Sequence, residues 1–168
     1  HSGNSHRGCN SGSIYRIRQL MRQGLTIFLT GASGFIGGSL AIQLMSNGHR
    51  VRGLVRSADK AAQLTALGME AVMGDLDDLA LLSTEAKNAD AVINTASADH
   101  AASVDAMLQA LEGSHKVFIH TSGSSIVGDD VRGSSRTEVI FDESTPLQVH
   151  ALKQSRRNID LSVLNAAS

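Results

Sequence analysis

The stretch Thr30-Gly-Ala-Ser-Gly-Phe-Ile-Gly-Gly38 separates an apolar run from an amphipathic one and places three glycines at three-residue intervals. Between a strand and a helix, the first glycine permits a tight turn, the second lets backbone approach a phosphate, and the third lets the helix pack closely. The N–H groups and the positive dipole end of the helix then face the phosphates. The stretch therefore predicts a dinucleotide-binding turn, with contacts from Gly31, Ser33, Gly34, Phe35, Ile36 and Gly37.

Around this turn, short β-branched runs alternate with longer stretches of helical spacing. The predicted strands are 26–30, 49–55, 70–73, 91–94 and 116–121, and the predicted helices are 34–47, 59–67, 76–87, 101–112 and 149–167. Such alternation is typical of βαβ units and a parallel sheet. We therefore expect the α/β class: a Rossmann-type doubly wound parallel sheet in three α/β/α layers, with strand order 3-2-1-4-5 and ligands at the carboxyl ends.

The composition predicts a globular domain that binds a small molecule. The 168 residues are 42% apolar and 18% charged, with a formal net charge of −1. A chain of this length can bury a sizeable core. A net charge near zero gives no general attraction for nucleic acid or an anionic membrane, and no apolar run reaches the ~20 residues that span a bilayer. We expect a small-molecule substrate, and neither nucleic acid nor a membrane as partner.

The first 24 residues differ from the rest of the chain, since they hold four of its 15 basic residues and none of its 16 acidic ones. Without an apolar period, they predict a flexible leader or tag-like segment, with an organelle transit peptide as the alternative. The single cysteine, Cys9, lies here, which excludes an internal disulfide and favours a cytoplasmic location. Residues 25–168 would form the dinucleotide-binding Rossmann domain, incomplete at its C-terminal end because such folds usually continue into a substrate lobe.

From about Leu25 to Asn165 the chain resembles the short-chain dehydrogenases/reductases, and within them the extended and atypical proteins of NAD-dependent epimerase/dehydratase type. The glycine stretch matches their motif almost residue for residue. The resemblance implies that Asp75 and Leu76, in Gly74-Asp-Leu-Asp-Asp78, lie at the adenine of a nicotinamide cofactor. It also implies that Thr95, Ala96 and Ser97, after the fourth strand, lie along the ribose.

The end of the second strand indicates which nicotinamide cofactor is bound. NAD sites place a carboxylate there for the 2′-hydroxyl, whereas NADP sites use arginine for the 2′-phosphate. Here the strand ends Leu54-Val-Arg-Ser57, with no acid. Arg56 and Ser57 can bind a phosphate through charge-assisted hydrogen bonds. The pattern favours NADP, with NAD as the alternative if Arg56 is only a solvated surface charge.

The residues for catalysis fit the family pattern only in part. The resemblance implies a serine after the fifth strand, for which Ser122, Ser124 and Ser125 are the candidates. It also implies a Tyr-x-x-x-Lys pair in the next helix, whose lysine binds the ribose of the cofactor. If Lys153 is that lysine, the tyrosine position is Val149, and the chain's one tyrosine is Tyr15. His150 could donate the proton instead, or be an exposed helix residue.

Three hypotheses remain open from the sequence. The first is an NADP-dependent oxidoreductase or epimerase/dehydratase-like enzyme acting on a small carbonyl or hydroxyl compound. The second is a non-catalytic NAD(P)-binding sensor that resembles the NmrA-type regulators, which keep the glycine turn and lack the tyrosine. The third is an inactive fragment, whose uncovered sheet edge would favour a homodimer. No histidine pair has metal-ligand spacing with an acidic partner, so we expect no metal site.

Overall fold

The computed structural model describes residues 24–127, 140–142 and 144–166. Of the predicted leader, the structure describes only Gly24. Cys9 and Tyr15 lie outside the described residues. All the residues that the sequence predicts for a cofactor or catalytic site lie within them.

Five strands form a single parallel sheet in the order β3-β2-β1-β4-β5. They are β1 (Thr26–Thr30), β2 (Arg50–Val55), β3 (Glu70–Met73), β4 (Ala91–Asn94) and β5 (Val117–His120). Phe28 at the centre of β1 lies opposite Arg52 of β2 on one side and Val92 of β4 on the other. This confirms the predicted strand order, which reverses between β1 and β4 and opens a crevice at their carboxyl ends.

Helices cover both faces of the sheet. They are α1 (Phe35–Ser46), α2 (Ala58–Ala66), α3 (Leu79–Asn88), α4 (Ala101–Leu111) and α5 (Gln154–Asn165). Ile27 and Leu29 of β1 pack into a core cluster with α1 and α2, while Phe28 between them packs into the cluster with α3 and α4. The side chains of a strand alternate between the two faces, so both faces of β1 are buried, as the apolar sequence of a central parallel strand requires.

Two helices begin three or more residues later than the sequence predicts, because local side chains hold the preceding backbone in turns. The carboxylate of Asp75 accepts the backbone N–H groups of Asp77 (2.9 Å) and Asp78 (3.2 Å). Asp78 then caps α3, which begins at residue 79 rather than 76. Before α5, His150 accepts the N–H of Leu152 (3.3 Å) and starts a 3₁₀ turn, so the α-helix begins at 154 rather than 149.

Candidate cofactor-binding site

Gly31 turns the chain at the carboxyl end of β1. Its φ of +78° is a left-handed conformation that residues with a side chain rarely adopt. A Cβ there would lie 2.7 Å from the hydroxyl of Thr95 and 2.8 Å from the backbone nitrogen of Ala96. The turn therefore packs directly against the segment that follows β4, and a larger residue would separate the two.

Gly34 and Gly37 complete the turn. The N–H of Gly34 donates to the carbonyl oxygen of Gly31 at 2.9 Å. A Cβ on Gly37 would lie 2.2 Å from that same oxygen and 2.7 Å from the hydroxyl of Thr95. The helix α1 therefore starts in contact with both the turn and the end of β4, and the three glycines make one tight loop.

The N-terminus of α1 has hydrogen-bond donors to offer a ligand. Within the described residues no side chain caps the helix, and its first turn holds no acidic residue. The first N–H groups of a helix have no intrahelical acceptor, and they carry the positive end of its dipole. Phe35 and Ile36 are 92% and 56% exposed. This helix end is thus suited to an anion such as a pyrophosphate.

A cleft of about 850 Å³ runs from the glycine turn across the carboxyl ends of β2, β3 and β4. It brings together nine residues that the sequence predicts: Gly31, Ser33, Gly34, Arg56, Ser57, Asp75, Leu76, Thr95 and Ala96. Four others that were predicted as contacts do not line it: Phe35, Ile36, Gly37 and Ser97. The cleft is of a size that holds a cofactor.

The cleft is also lined by three polar residues that were not predicted from the sequence: Lys60, Asp77 and His100. A sequence signal existed for Lys60, which follows Ser57 by three residues and so falls in the first turn of α2. No local sequence pattern could place His100 in the cleft, because its position beside Asp77 depends on how the loops after β3 and β4 pack together.

The start of α2 forms a positively charged corner of the cleft. Ser57 caps the helix, and its hydroxyl accepts the N–H of Lys60 at 3.4 Å. The ammonium group of Lys60 donates to Gln63 at 3.1 Å. Arg56 is exposed, and in the part of the chain that the structure describes no acidic side chain forms an ion pair with it. Two cations and a helix N-terminus therefore converge here.

At the other side of the cleft, His100 joins two loops. Its Nδ1 accepts the backbone N–H of Ser103 at 3.2 Å, so the ring proton lies on Nε2. That Nε2 lies 3.1 Å from Oδ1 of Asp77. The loop after β3 is thus tied to the loop after β4 beside Asp75.

The residues considered for catalysis lie beyond the end of β5. Ser122 is exposed, and Ser124 begins a 3₁₀ turn, Ser124–Val127. The guanidinium of Arg156 on α5 donates to the hydroxyl of Ser125 at 2.8 Å and binds Asp99, after β4, through both carboxylate oxygens. Arg156 thereby fastens the loops after β4 and β5 to α5.

Lys153 ends the 3₁₀ turn before α5 and is half-buried. The ion pair with Arg156 lowers the pKa of Asp99, and the positive charge of Lys153 lowers it further. Lys153 stands three residues before Arg156, which binds Asp99 in the loop after β4, and it does not line the cleft. His150 caps this 3₁₀ turn, so both His150 and Lys153 lie before α5, although the sequence predicts a helix from residue 149.

Within residues 24–127, 140–142 and 144–166, no group of three or more His, Cys, Asp or Glu side chains is arranged to hold a metal ion. In the same part of the chain, no helix combines the length and the apolar character that crossing a membrane requires.

A protein-family model described as NAD(P)H-binding matches residues 31–139. The oxidase ucsJ of Acremonium sp is 40% identical over 129 residues, which are 70% of this chain and 37% of that protein. A 4-hydroxy-2-methyl-3-oxo-4-farnesyl-3,4-dihydroquinoline-1-oxide ketoreductase of Stigmatella aurantiaca is 28% identical over 133 residues, which are 71% of this chain and 38% of that protein.

Among solved structures, the Bordetella bronchiseptica enzyme WbmG in complex with NAD matches the fold with a TM-score of 0.66. It is 15% identical, and the match covers 85% of this chain and 50% of that one. The chain spans about half the length, or less, of the curated relatives it matches.

Proposed function

Because the chain belongs to the NAD(P)H-binding family, we propose that it is an NADP-dependent oxidoreductase of the short-chain dehydrogenase/reductase type, epimerase/dehydratase-like, for a small carbonyl or hydroxyl substrate. The observation that carries the proposal is the cleft that joins the glycine turn to the cationic corner at Arg56. A cytoplasmic location is part of the proposal, since Cys9 has no second cysteine for an internal disulfide.

The cleft fits a dinucleotide by its shape and its donors. Side chains at Gly31 and Gly37 would collide with backbone, and the uncapped N-terminus of α1 offers N–H groups to the pyrophosphate. We propose that Asp75 and Leu76 hold the adenine end and that Thr95 to Ser97 hold the ribose. Asp75 meets this role from a rigid position, because two backbone N–H groups fix its carboxylate.

The preference for NADP rests on charge at the adenosine end. A 2′-phosphate placed at the start of α2 would meet the guanidinium of Arg56, the hydroxyl of Ser57 and the ammonium of Lys60. Arginine can bind two phosphate oxygens at once, and the helix dipole adds to the attraction. The two residues directly after β2, Arg56 and Ser57, include no acid that could select the 2′-hydroxyl of NAD, and Asp59 in the first turn of α2 does not line the cleft.

The test is a fluorescence titration of the chain with NADPH and NADH, repeated on Arg56→Ala. We expect NADPH to bind at least about tenfold tighter, equal to ~1.4 kcal/mol, and the substitution to remove that preference. Arg50→Ala is the matched control, because Arg50 lies at the opposite end of the same strand. Equal affinity for both nucleotides would refute the NADP preference, and no binding of either would refute the proposed function.

In the reaction, bound NADPH would supply a hydride to the substrate carbonyl. The alkoxide that results takes a proton from a solvent water in the open cleft, and the chain's own residues must place the carbonyl oxygen. We propose that Ser122 or Ser124 holds that oxygen and that Lys153 binds the ribose. Ser125 is less suited, since its hydroxyl already accepts from Arg156. We expect NADPH oxidation with a panel of aldehydes and ketones, abolished in Ser122→Ala if Ser122 holds the oxygen and in Ser124→Ala if Ser124 does.

The second candidate is a sensor that binds NAD(P) without turning it over, like the NmrA-type regulators. Two observations favour it. With Lys153 taken as the family's lysine, Val149 occupies the tyrosine position, and His150, the alternative proton donor, uses its Nδ1 to cap a turn. Tight nucleotide binding, with no turnover of any carbonyl in the panel, would support the sensor over the enzyme.

A further inference from the structure

The side chain of Asn94, at the end of β4, uses every hydrogen-bonding position of its amide. Its Oδ1 accepts the backbone N–H of Ala96 at 3.3 Å and the hydroxyl of Thr30. Its Nδ2 donates to the carbonyl of Ser97 at 3.2 Å and lies 3.0 Å from Nδ1 of His120. The two backbone partners have fixed polarity, so the amide cannot turn around without losing both bonds.

This arrangement determines the proton position on His120, the last residue of β5. Its Nδ1 must present a lone pair to the Nδ2–H of Asn94, so the neutral ring carries its proton on Nε2. Nε2 lies 4.0 Å from Oδ1 of Asp160 on α5, and the two side chains are 3% and 10% exposed. Neither Nε2 nor Oδ2 of Asp160 has a hydrogen-bond partner among the described residues.

We propose that His120 is a positioning residue for the cofactor: its unprotonated Nδ1 holds the amide of Asn94, which in turn holds the cleft-lining segment after β4. The contact with Asn94 leaves the ring proton on Nε2, and the carboxylate of Asp160, 4.0 Å from that nitrogen, favours this proton position by its charge alone. The proposal rests on the proposed dinucleotide site and adds to it a residue that does not line the cleft.

The charges around His120 come from one helix. Asp160 is the charged group that acts on the ring in the described part of the chain, and Arg156, one turn earlier on α5, acts on Asp160 while it pairs with Asp99. Phe118 stacks on the ring from the same strand. Burial lowers the pKa of His120 below its usual 6.5, against the opposing effect of Asp160.

Protonation of His120 at Nδ1 would set an N–H group against the Nδ2–H of Asn94. Because the amide cannot turn, it would be displaced, and with it the bonds to Ala96 and Ser97. We therefore expect cofactor affinity to fall as the pH drops below the pKa of His120.

The experiment compares three forms of the full chain: wild type, His120→Asn and His120→Leu. An asparagine carries an acceptor oxygen near the place of Nδ1 and does not titrate, whereas leucine offers no acceptor. NADPH affinity is measured by fluorescence at about pH 7.5 and about pH 5.5. Phosphate monoesters titrate near pH 6, so the variants are compared with wild type at each pH.

We expect His120→Asn to bind within about threefold of wild type at the higher pH and to lose less affinity on acidification. His120→Leu should bind about tenfold more weakly at both. Wild-type affinity in the leucine variant, or an unchanged acid response in the asparagine variant, would overturn the role of His120. A wild-type chain that binds no nucleotide would instead refute the dinucleotide site itself.

A spectroscopic measurement on the nucleotide-free chain tests the arrangement separately. In ¹⁵N NMR of the histidine rings at about pH 7.5, we expect Nδ1 of His120 to give the signal of an unprotonated nitrogen and Nε2 that of a protonated one. The opposite tautomer would overturn the proposal, whatever the nucleotide titrations give.

Discussion

Gly37 and Gly38 are neighbours in α1 with opposite tolerance for a side chain. A Cβ at Gly37 would lie 2.2 Å from the carbonyl oxygen of Gly31, whereas one at Gly38 would lie 3.4 Å from that of Ala32. We predict that Gly37→Ala lowers the free energy of unfolding by about 2 kcal/mol, because backbone must move. It should also weaken NADPH binding, since the same movement opens the turn.

Gly38→Ala is the control for that prediction. It adds the same methyl group one residue later in the same helix, where alanine is favoured over glycine by up to ~1 kcal/mol. Urea denaturation should find it as stable as wild type or more so. Equal loss of stability in both variants would mean that the contact with Gly31 is not the cause.

His120 predicts a pH dependence of stability in a defined window. Its pKa is lower in the folded chain than its usual 6.5, so below that pH the unfolded chain holds more protons. The free energy of unfolding should therefore be fully retained above about pH 6.5 and fall as the pH drops towards the folded pKa, by at most ~1.4 kcal/mol per pH unit. Urea denaturation at several pH values measures this slope.

Among the described residues, the three carboxylates whose pKa is lowered in the folded chain, Glu70, Asp99 and Asp142, affect stability at lower pH than His120 does. Glu70, whose pKa the hydrogen bond from Arg50 lowers, releases its contribution only below its usual value of 4.5. His120→Asn should flatten the slope that wild type shows as the pH falls below about 6.5. A slope of the same size in that variant would assign it to another group.

Among the elements, β2, β3 and α3 are joined by ion pairs at the end of the sheet away from the cleft. Arg52 on β2 binds both carboxylate oxygens of Glu85 on α3, at 2.8 and 2.9 Å, and Glu70 on β3 at 2.7 Å. Glu85 is 7% exposed. We predict that Glu85→Ala costs about 2 kcal/mol, because it leaves Arg52 without its buried partner.

Glu70→Ala is the comparison for that prediction, measured by thermal or urea unfolding. Glu70 binds Arg50 and Arg52, but its side chain is 42% exposed. Exposed ion pairs contribute less than about 1 kcal/mol. If Glu70→Ala costs as much as Glu85→Ala, burial is not what gives the inner pair its strength.

Most of the elements could be predicted from the sequence because their signals are local. The glycine spacing of 31–37 and the apolar runs of the strands act over a few residues, and they also locate the turn of the cleft. The starts of α3 and α5 could not be predicted, since Asp75 and His150 bind backbone in turns that compete with helix. The link between Asn94, His120 and Asp160 was also missed, because it joins two strands and a helix whose pairing is known only from the fold.

At the scale of the whole molecule, β5 leaves an apolar surface open. It is an edge strand of the sheet, and its Val117 and Ile119 are 56% and 50% exposed. In parallel sheets both faces are normally covered, and an apolar edge is a template for pairing with another chain. We predict that the 168-residue chain forms a homodimer through β5, which light scattering coupled to size-exclusion chromatography would detect.

The substitution that tests this interface is Ile119→Lys, with Ile42→Lys as its control. Both isoleucines are 50% exposed, but Ile42 lies on α1. A charge at residue 119 should shift the chain to monomer, because pairing would bury an ammonium group without a partner, while the control should stay dimeric. A wild-type monomer at all concentrations would contradict the prediction, and a control that dissociates equally would place the interface elsewhere. In a dimer formed through β5, the crevice between β1 and β4 stays open to nucleotide, because β5 lies on the far side of β4. We therefore expect the NADPH affinity to be independent of the protein concentration.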